Sequence, residues 1–149
     1  MPMVKVAVVA VVILALFQVS SCAAARRHSK PAGPSLHSSG GGTPAVMTVN
    51  GFKRGETGGG PAACDGNFHS DEELIVALST HWFEHGQRCH RAIRIVSMRD
   101  GRAVEARVVD ECNSWRGCGD NIVDSSPTVW KALGLDTDVG EVPVTWSDA

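Results

Sequence analysis

The sequence has 149 residues and a formal net charge of −2, and 43% of its residues are hydrophobic. A weakly acidic chain without a concentrated basic face argues against a nucleic-acid-binding protein. A chain of this length is large enough for one globular core and too short for several.

Residues 1–25 have the features of a cleavable export signal. Lys5 supplies a positive start, and residues 6–17 form an unbroken apolar run. This run is shorter than the ~20 residues that a membrane-spanning helix needs, so we expect cleavage before Arg26 and no membrane anchor afterwards. A competing interpretation is a bacterial lipid-attachment box at Val19–Cys22, which we disfavour because small residues near a cleavage site are common.

Residues 26–46 are rich in glycine, serine and proline, including Pro31, Pro34 and the run Gly40–Gly42. Such a segment has little to bury and is predicted to be a flexible linker. Residues 47–149 then form the single folded domain.

The first half of this domain is predicted to contain one strand and one helix. Met47–Phe52 alternates apolar and polar residues, which predicts the first strand. Ser70–Glu73 matches a capping box, and the helix that it would start carries Leu74, Ala77 and Leu78 on one face.

The second half is predicted to be mostly strands. Ala92–Val96 and Ala103–Val109 are joined through Asp100-Gly101, a strong hairpin signal. Ser126 and Pro127 begin a second helix, which Gly134 ends, and Glu141–Trp146 is the closing strand.

Cysteine usage indicates an oxidised, exported domain. Of the five cysteines, Cys22 lies in the export signal, and the others are Cys64, Cys89, Cys112 and Cys118. Four cysteines allow three pairings, among which the sequence alone does not decide. We favour Cys64–Cys89 and Cys112–Cys118, because the second pair closes a compact loop. Their spacing does not suit zinc.

Two aspartates are candidate groove carboxylates. Asp110 comes at the end of a β-rich run, and Asp124 comes just before the second helix. Hydrolysis of a glycosidic bond needs two carboxylates placed across the sugar. The simpler interpretation is that both aspartates cap turns and strand ends.

Two histidines and a tryptophan-bearing loop are candidates for metal or partner binding. His81 and His85 are one helical turn apart, but they match no metal-binding motif and are expected to lie at the end of the first helix. We therefore expect no metal and no cofactor. Trp115 lies between Cys112 and Cys118, next to Asn113 and Arg116, and a tryptophan on a constrained loop is a good anchor for a partner. The alternative is that Trp115 folds back onto the domain.

The order of short motifs from residue 47 to the C-terminus resembles the kiwellin family of plant ripening-related proteins, and more distantly barwin and the first domain of expansins. The segments that carry the resemblance are Gly58–Pro61, Ala63–Gly66, Ala77–Thr80, Arg88–Cys89, Asp110–Cys112, Asp124–Pro127 and Gly140–Trp146. The resemblance implies a mainly β fold, a six-stranded double-psi β-barrel with two short helices and stapling disulfides.

The same resemblance bears on catalysis. Asp124 aligns with the proton donor of small endoglucanases that share the barrel, and expansins keep an acid at this position without hydrolysing their polymer. The endoglucanase base would lie in the first strand, where Met47–Phe52 contains no acidic residue. The resemblance therefore implies a protein that is not an enzyme.

The predicted function is that of a secreted, monomeric plant protein of the apoplast that binds another extracellular protein, such as a secreted pathogen protein, in defence or ripening. Trp115, Arg116 and Asn113 are its predicted binding residues. The alternative is a protein acting on cell-wall polysaccharide, by expansin-like loosening or by weak hydrolysis with Asp124 and Asp110. Carbohydrate binding without hydrolysis would need an exposed aromatic platform, which is not evident.

Overall fold

The computed structural model describes residues 41–149, so the predicted export signal and residues 26–40 of the predicted linker lie outside the described residues. Six strands form a closed barrel in the order β1-β5-β2-β4-β3-β6. The strands are β1 Thr43–Val49, β2 Ile75–Ser79, β3 Ala92–Ser97, β4 Ala103–Cys112, β5 Ile122–Ser125 and β6 Glu141–Asp148. The α-helices are α1 Thr80–Phe83 and α2 Pro127–Ala132, and 3-10 turns cover Glu84–Gly86, Ser114–Arg116 and Thr137–Val139.

Every strand of the barrel has two neighbours. β1 runs parallel to β5 and antiparallel to β6, whereas β2 runs parallel to β4 and antiparallel to β5. β3 completes the ring by antiparallel pairing with β4 and β6. Closure removes the unpaired edges that an open sheet would expose. The predicted fold class, a six-stranded double-psi β-barrel with two short helices, is confirmed.

The barrel interior and the side covered by α2 form the main core. Trp130 is fully buried and Trp146 is 4% exposed, which agrees with the prediction that both are core residues. The indole N–H of Trp130 donates to the backbone oxygen of Thr48, so its one polar atom is satisfied. A second cluster packs the long loop after β1 against β2 and β4 through Phe52, Ala62 and Val109.

The first strand begins and ends earlier than the predicted Met47–Phe52. Thr43–Val49 is extended, so the end of the predicted linker belongs to the barrel. Because of Pro44, this segment was assigned to the linker. At Pro44 the strand pairs only with β6, since its pairing with β5 begins at Val46. A proline is tolerated where one side of a strand is unpaired.

The predicted helix after Ser70 is wrong. The capping box does form, since Ser70 N–H donates to Glu73 Oε1 at 3.0 Å and Glu72 N–H donates to Ser70 Oγ at 3.2 Å. These bonds close a turn, after which Ile75–Ser79 extends as β2 with all of its residues buried. A short, continuous apolar run suits a strand buried between two neighbours, and this tertiary environment overrides the local capping signal.

The first helix is therefore the single turn α1, and the two histidines do not share one helical face. His81 lies on α1, whereas His85 follows it with a φ of 55° in the left-handed region. No group of three histidine, cysteine, aspartate or glutamate residues that could hold a metal occurs among residues 41–149.

The predicted β3–β4 hairpin is confirmed. β3 and β4 pair antiparallel with Ile95 opposite Val104, and Gly101 adopts a φ of 75° in the connecting turn. The left-handed conformation explains the glycine at this position. β4 continues past the predicted end to Cys112, so that Asp110 lies inside the strand.

The second helix is also confirmed, with one change at its start. Ser126 occupies the N-cap position, but its side chain does not cap the helix. Its hydroxyl donates instead to the backbone oxygen of Glu73 at 2.7 Å, which ties α2 to the turn before β2. Gly134, with a φ of 68°, follows the last turn as predicted.

Both favoured disulfides are present. Cys64–Cys89 joins the long loop after β1 to the segment before β3, and Cys112–Cys118 closes the loop after β4. Constraining the unfolded chain in this way stabilises small exported domains, typically by about 2–4 kcal/mol for each bridge.

Ser79 at the end of β2 gives a test of barrel closure. Its buried hydroxyl accepts from Ile122 N–H at 2.7 Å and donates to Gly119 O at 2.8 Å. We expect Ser79→Ala to lower the free energy of unfolding by about 1–3 kcal/mol, because a buried amide loses its acceptor. Urea denaturation would measure this, and Ser147→Ala on the partly exposed part of β6 is the control. Equal midpoints for the two variants would contradict the proposed role of Ser79.

Candidate functional site

A groove of about 550 Å³ crosses one end of the barrel, and both candidate aspartates line it. β4 supplies Asp110 and β5 supplies Asp124. The two strands are not neighbours, because β2 lies between them. In the pairing register, Ala77 of β2 is opposite Asp110 on one side and opposite Asp124 on the other. The sequence left open whether the two carboxylates line one groove, and the structure places both of them there.

The row of paired residues Asp110, Ala77 and Asp124 continues onto β1 and β6. Thr48 of β1 pairs with Asp124 on one side and with Glu141 of β6 on the other. Adjacent strands lie about 4.8 Å apart, so the α-carbons of Asp110 and Asp124 are about 10 Å apart. The small side chain of Ala77 between them leaves the floor of the groove open.

Asp110 is held by the backbone. Its Oδ1 accepts from Ala63 N–H and from Glu111 N–H, both at 2.8 Å. Burial raises the pKa of Asp110, and these two hydrogen bonds act in the opposite direction because they favour the charged form. The carboxylate therefore fastens the loop after β1 to β4, which is the structural role that the simpler interpretation assigned to it.

Asp124 has a different environment. Its one hydrogen bond from a described side chain comes from the hydroxyl of Thr48. Burial raises the pKa of Asp124, the Thr48 hydrogen bond lowers it, and the negative charge of Asp110 raises it further. A buried carboxyl whose pKa is raised in this way is suited to keep or donate a proton.

The first strand contributes no acid to the groove. Thr48 and Asn50 are the groove residues of this segment, which supports the sequence-based argument that the base of the endoglucanase scheme is missing.

Two other carboxylates, Glu111 and Glu141, also line the groove, and no sequence pattern singled them out. Glu111 accepts a hydrogen bond from the Thr80 hydroxyl. The place of Glu141 in the groove follows from strand register, which the sequence does not show. Glu111 directly follows Asp110, and this adjacency could have indicated that it lies near the groove.

The disulfide loop from Cys112 to Cys118 forms a ridge beside the groove, and its predicted binding residues face different ways. Asn113 and Arg116 line the groove. Trp115 lines a second hollow of about 600 Å³ on the other side of the loop. It is 88% exposed, so the alternative that it folds back onto the barrel is wrong. The side chain of Asn113 accepts from Trp115 N–H at 2.9 Å and thereby fixes the turn that presents the tryptophan.

These features define a class of protein: a disulfide-bonded double-psi β-barrel with an acid-lined groove and an exposed tryptophan on an adjoining loop. A family model described as Kiwellin-1 matches residues 17–149, and the chain therefore belongs to the kiwellin family.

Curated relatives carry names that refer to ripening or to kiwellin. Putative ripening-related protein 6 of Oryza sativa subsp. japonica is 60% identical in an alignment 150 positions long that covers 87% of this chain and 90% of that protein. Kiwellin of Actinidia chinensis var. chinensis is 50% identical in an alignment 117 positions long that covers 72% of this chain and 54% of that protein. The chain thus matches about half the length of that kiwellin.

Solved structures show the fold. The apo expansin of Clavibacter michiganensis superposes with a TM-score of 0.57 at 22% identity, over 72% of this chain and 50% of the expansin. A papain inhibitor from Streptomyces superposes with a TM-score of 0.50 at 20% identity, over 72% of this chain and 94% of the inhibitor. At such identities the likeness concerns the barrel alone.

The raised pKa of Asp124 predicts a stability profile. A carboxyl with a pKa that is higher in the folded state than in the unfolded state stabilises fully below its unfolded pKa, and this contribution is lost as pH rises through the folded pKa. We expect Asp124→Asn, which avoids burying a charge, to gain stability relative to wild type as pH rises from about 4 to 7.

Urea denaturation of both proteins across this pH range would measure the gain. Asp138→Asn, at an exposed position outside the groove, is the matched control. A difference for Asp124→Asn that does not change with pH would contradict the assignment of a raised pKa to this carboxyl.

Proposed function

We propose that the protein is a secreted, non-catalytic binding protein of the plant apoplast that recognises another extracellular protein through its disulfide loop. The observation that carries this proposal is the 88% exposure of Trp115 on that loop. A secreted pathogen protein is the partner that the kiwellin resemblance favours, in defence or in ripening. Neither nucleic acid nor a membrane is a proposed partner, and the protein is proposed to act as a monomer.

The loop is built to hold an anchor residue still. Cys112–Cys118 closes it, and Arg116 N–H and Cys118 N–H both donate to the backbone oxygen of Asn113, at 2.9 and 3.3 Å. An aromatic side chain on a rigid loop loses little conformational entropy on binding. Tryptophan and arginine are enriched among the residues that dominate protein interfaces, which supports Trp115 and Arg116 as the central contacts.

An extracellular location is supported by the disulfides. Bridges of this kind persist in oxidising compartments and are uncommon in the cytosol. Within residues 41–149, no helix has the length and apolar character needed to span a lipid bilayer.

The proposal that the groove does no chemistry rests on its two aspartates and on the segment that faces them. Asp110 already accepts two backbone hydrogen bonds, which favour its structural role. The end of the first strand and the residue after it offer Thr48 and Asn50 where the endoglucanase scheme needs a base. Without an acid at that place, Asp124 lacks the second carboxylate of this mechanism.

Loss of the tryptophan gives the direct test. The oxidised protein would be immobilised and exposed to apoplastic fluid from infected tissue, and affinity for each captured protein would then be measured by biolayer interferometry. We expect Trp115→Ala to weaken binding roughly thirtyfold, as loss of a central interface residue does. Met98→Ala is the control, because Met98 is also exposed, at 59%, but lies in the β3–β4 turn. Equal affinities for wild type and Trp115→Ala would contradict the proposal.

A second candidate function is binding or slow cleavage of cell-wall polysaccharide, and the specific observation in its favour is that Asp110 and Asp124 line one groove. An open, polar groove of about 550 Å³ could take several sugar units of a neutral polymer. This candidate ranks lower because neither carboxylate has a partner base on β1.

Assays of reducing ends separate the two functions. The oxidised protein would be incubated with cellulose, mixed-linkage glucan and xylan, with Asp124→Asn in parallel. We expect no release of sugar above the buffer blank from either protein. Release by wild type that Asp124→Asn abolishes would show that Asp124 is a proton donor and would overturn the non-catalytic proposal.

A further inference from the structure

The second hollow, on the far side of the disulfide loop from the acid-lined groove, has features of a binding site in its own right. Its volume is about 600 Å³, enough for one large side chain of a partner. One wall comes from α1 and the turn after it, with His81, Glu84 and His85, and the other comes from the loop with Trp115 and from Asp120.

The two walls are joined before any ligand arrives. Ser114 N–H of the loop donates to the Thr80 hydroxyl at the start of α1, at 3.0 Å. The Cys112–Cys118 bridge holds one wall, and the Cys64–Cys89 bridge follows directly after the other. A preformed hollow avoids the entropic cost of ordering its walls on binding.

The turn after α1 borders the hollow and has a left-handed backbone at Glu84, the C-cap of α1, and at His85. Glu84 and His85 have φ values of 50° and 55°, and Gly86 follows at 88°. Side chains other than glycine rarely adopt this left-handed region, and such residues concentrate at binding and switch sites. Both Glu84 and His85 are exposed, so no packing in the core requires their side chains.

The charges around the hollow favour a cation. Neither lysine nor arginine is among its lining residues. Glu84 is neutralised by Arg88, whose Nη1 lies 2.9 Å from Glu84 Oε1. Asp120 is an exposed carboxylate that makes no ion pair among residues 41–149. The exposed indole of Trp115 adds an aromatic face, which attracts a guanidinium through the negative charge of its ring face.

We propose that this hollow receives an arginine side chain of the partner protein, with the guanidinium between the Trp115 ring and the Asp120 carboxylate. The inference rests on the proposed function, since it names the partner chemistry that the tryptophan loop recognises. It also explains why an exposed tryptophan is presented beside a strained turn and away from the acid-lined groove.

The first test uses short peptides as probes of the oxidised protein. Ac-Ala-Arg-Ala-NH₂ and its citrulline analogue, which is neutral and nearly isosteric, would be titrated while NMR follows the Trp115 indole N–H and the amides of His85 and Asp120. We expect saturable shifts with the arginine peptide and affinity about fivefold weaker with the citrulline peptide. Equal affinities, or no shifts at these three groups, would overturn the inference.

Matched variants locate the site. Asp120→Asn keeps the shape of the hollow but removes the charge, and it should weaken binding of the arginine peptide while leaving binding of the citrulline peptide unchanged. His85→Gly should raise the urea midpoint, by relieving the left-handed strain, and should weaken arginine binding. His90→Gly is its control, because His90 also has a positive φ, of 64°, but lies outside the hollow. The His90→Gly variant should raise the urea midpoint and leave the affinity for the arginine peptide unchanged.

The Asp120→Asn variant decides the location of the site. If its affinity for the arginine peptide equals that of wild type, the proposed site is contradicted.

The two proposals fail separately. If Trp115→Ala abolishes protein capture while the arginine and citrulline peptides bind equally, the protein-binding function stands and the arginine site is wrong. If the arginine peptide binds selectively but Trp115→Ala captures partners as well as wild type does, the arginine site stands and the tryptophan-centred protein-binding function is wrong.

Discussion

The register of β2 is the constraint on which the rest of the structure depends. This strand has all of its residues buried, and it pairs in parallel with β4 and antiparallel with β5. A slip of one residue would turn every side chain of a strand to its other face. Ala77 would then no longer lie between Asp110 and Asp124, and the floor of the groove would be lost. The same register ends at Ser79, whose hydroxyl ties the strand to Ile122.

Burying Asp124 works against the stability of this arrangement. Desolvation raises its pKa and the nearby Asp110 carboxylate raises it further, while the Thr48 hydroxyl compensates in part. Asp110, by contrast, is used by the fold, because it accepts two backbone hydrogen bonds that fasten the loop after β1. The two aspartates of the groove therefore have unequal roles. Asp110 stabilises the fold through its backbone hydrogen bonds, whereas burial of the Asp124 carboxyl costs stability.

Local signals account for the parts of the fold that the sequence predicted. The β3–β4 hairpin is specified by alternation and by Asp100-Gly101, and α2 by Pro127 and Gly134, all within a few residues of the element concerned. β2 was missed because a real capping box precedes it, and only its pairing with two distant strands makes Ile75–Ser79 extended. The sequence marked Asp110 and Asp124 as candidates but left open whether they share a groove, and Glu141 lies there through a register with Thr48 that no local pattern shows.

The disulfide loop separates the acid-lined groove from the second hollow, and this separation has a steric consequence for the proposed ligands. Neighbouring residues of one short turn face opposite ways, with Trp115 at the hollow and Arg116 at the groove. A protein that contacts both side chains must straddle the ridge, so it covers the mouth of the groove. A polymer in the groove and a protein on the loop would therefore compete for the space around Arg116. Because the loop is closed by Cys112–Cys118, the ridge cannot easily swing aside to accommodate both. The covalent closure that holds Trp115 therefore also keeps the ridge in place between the hollow and the groove.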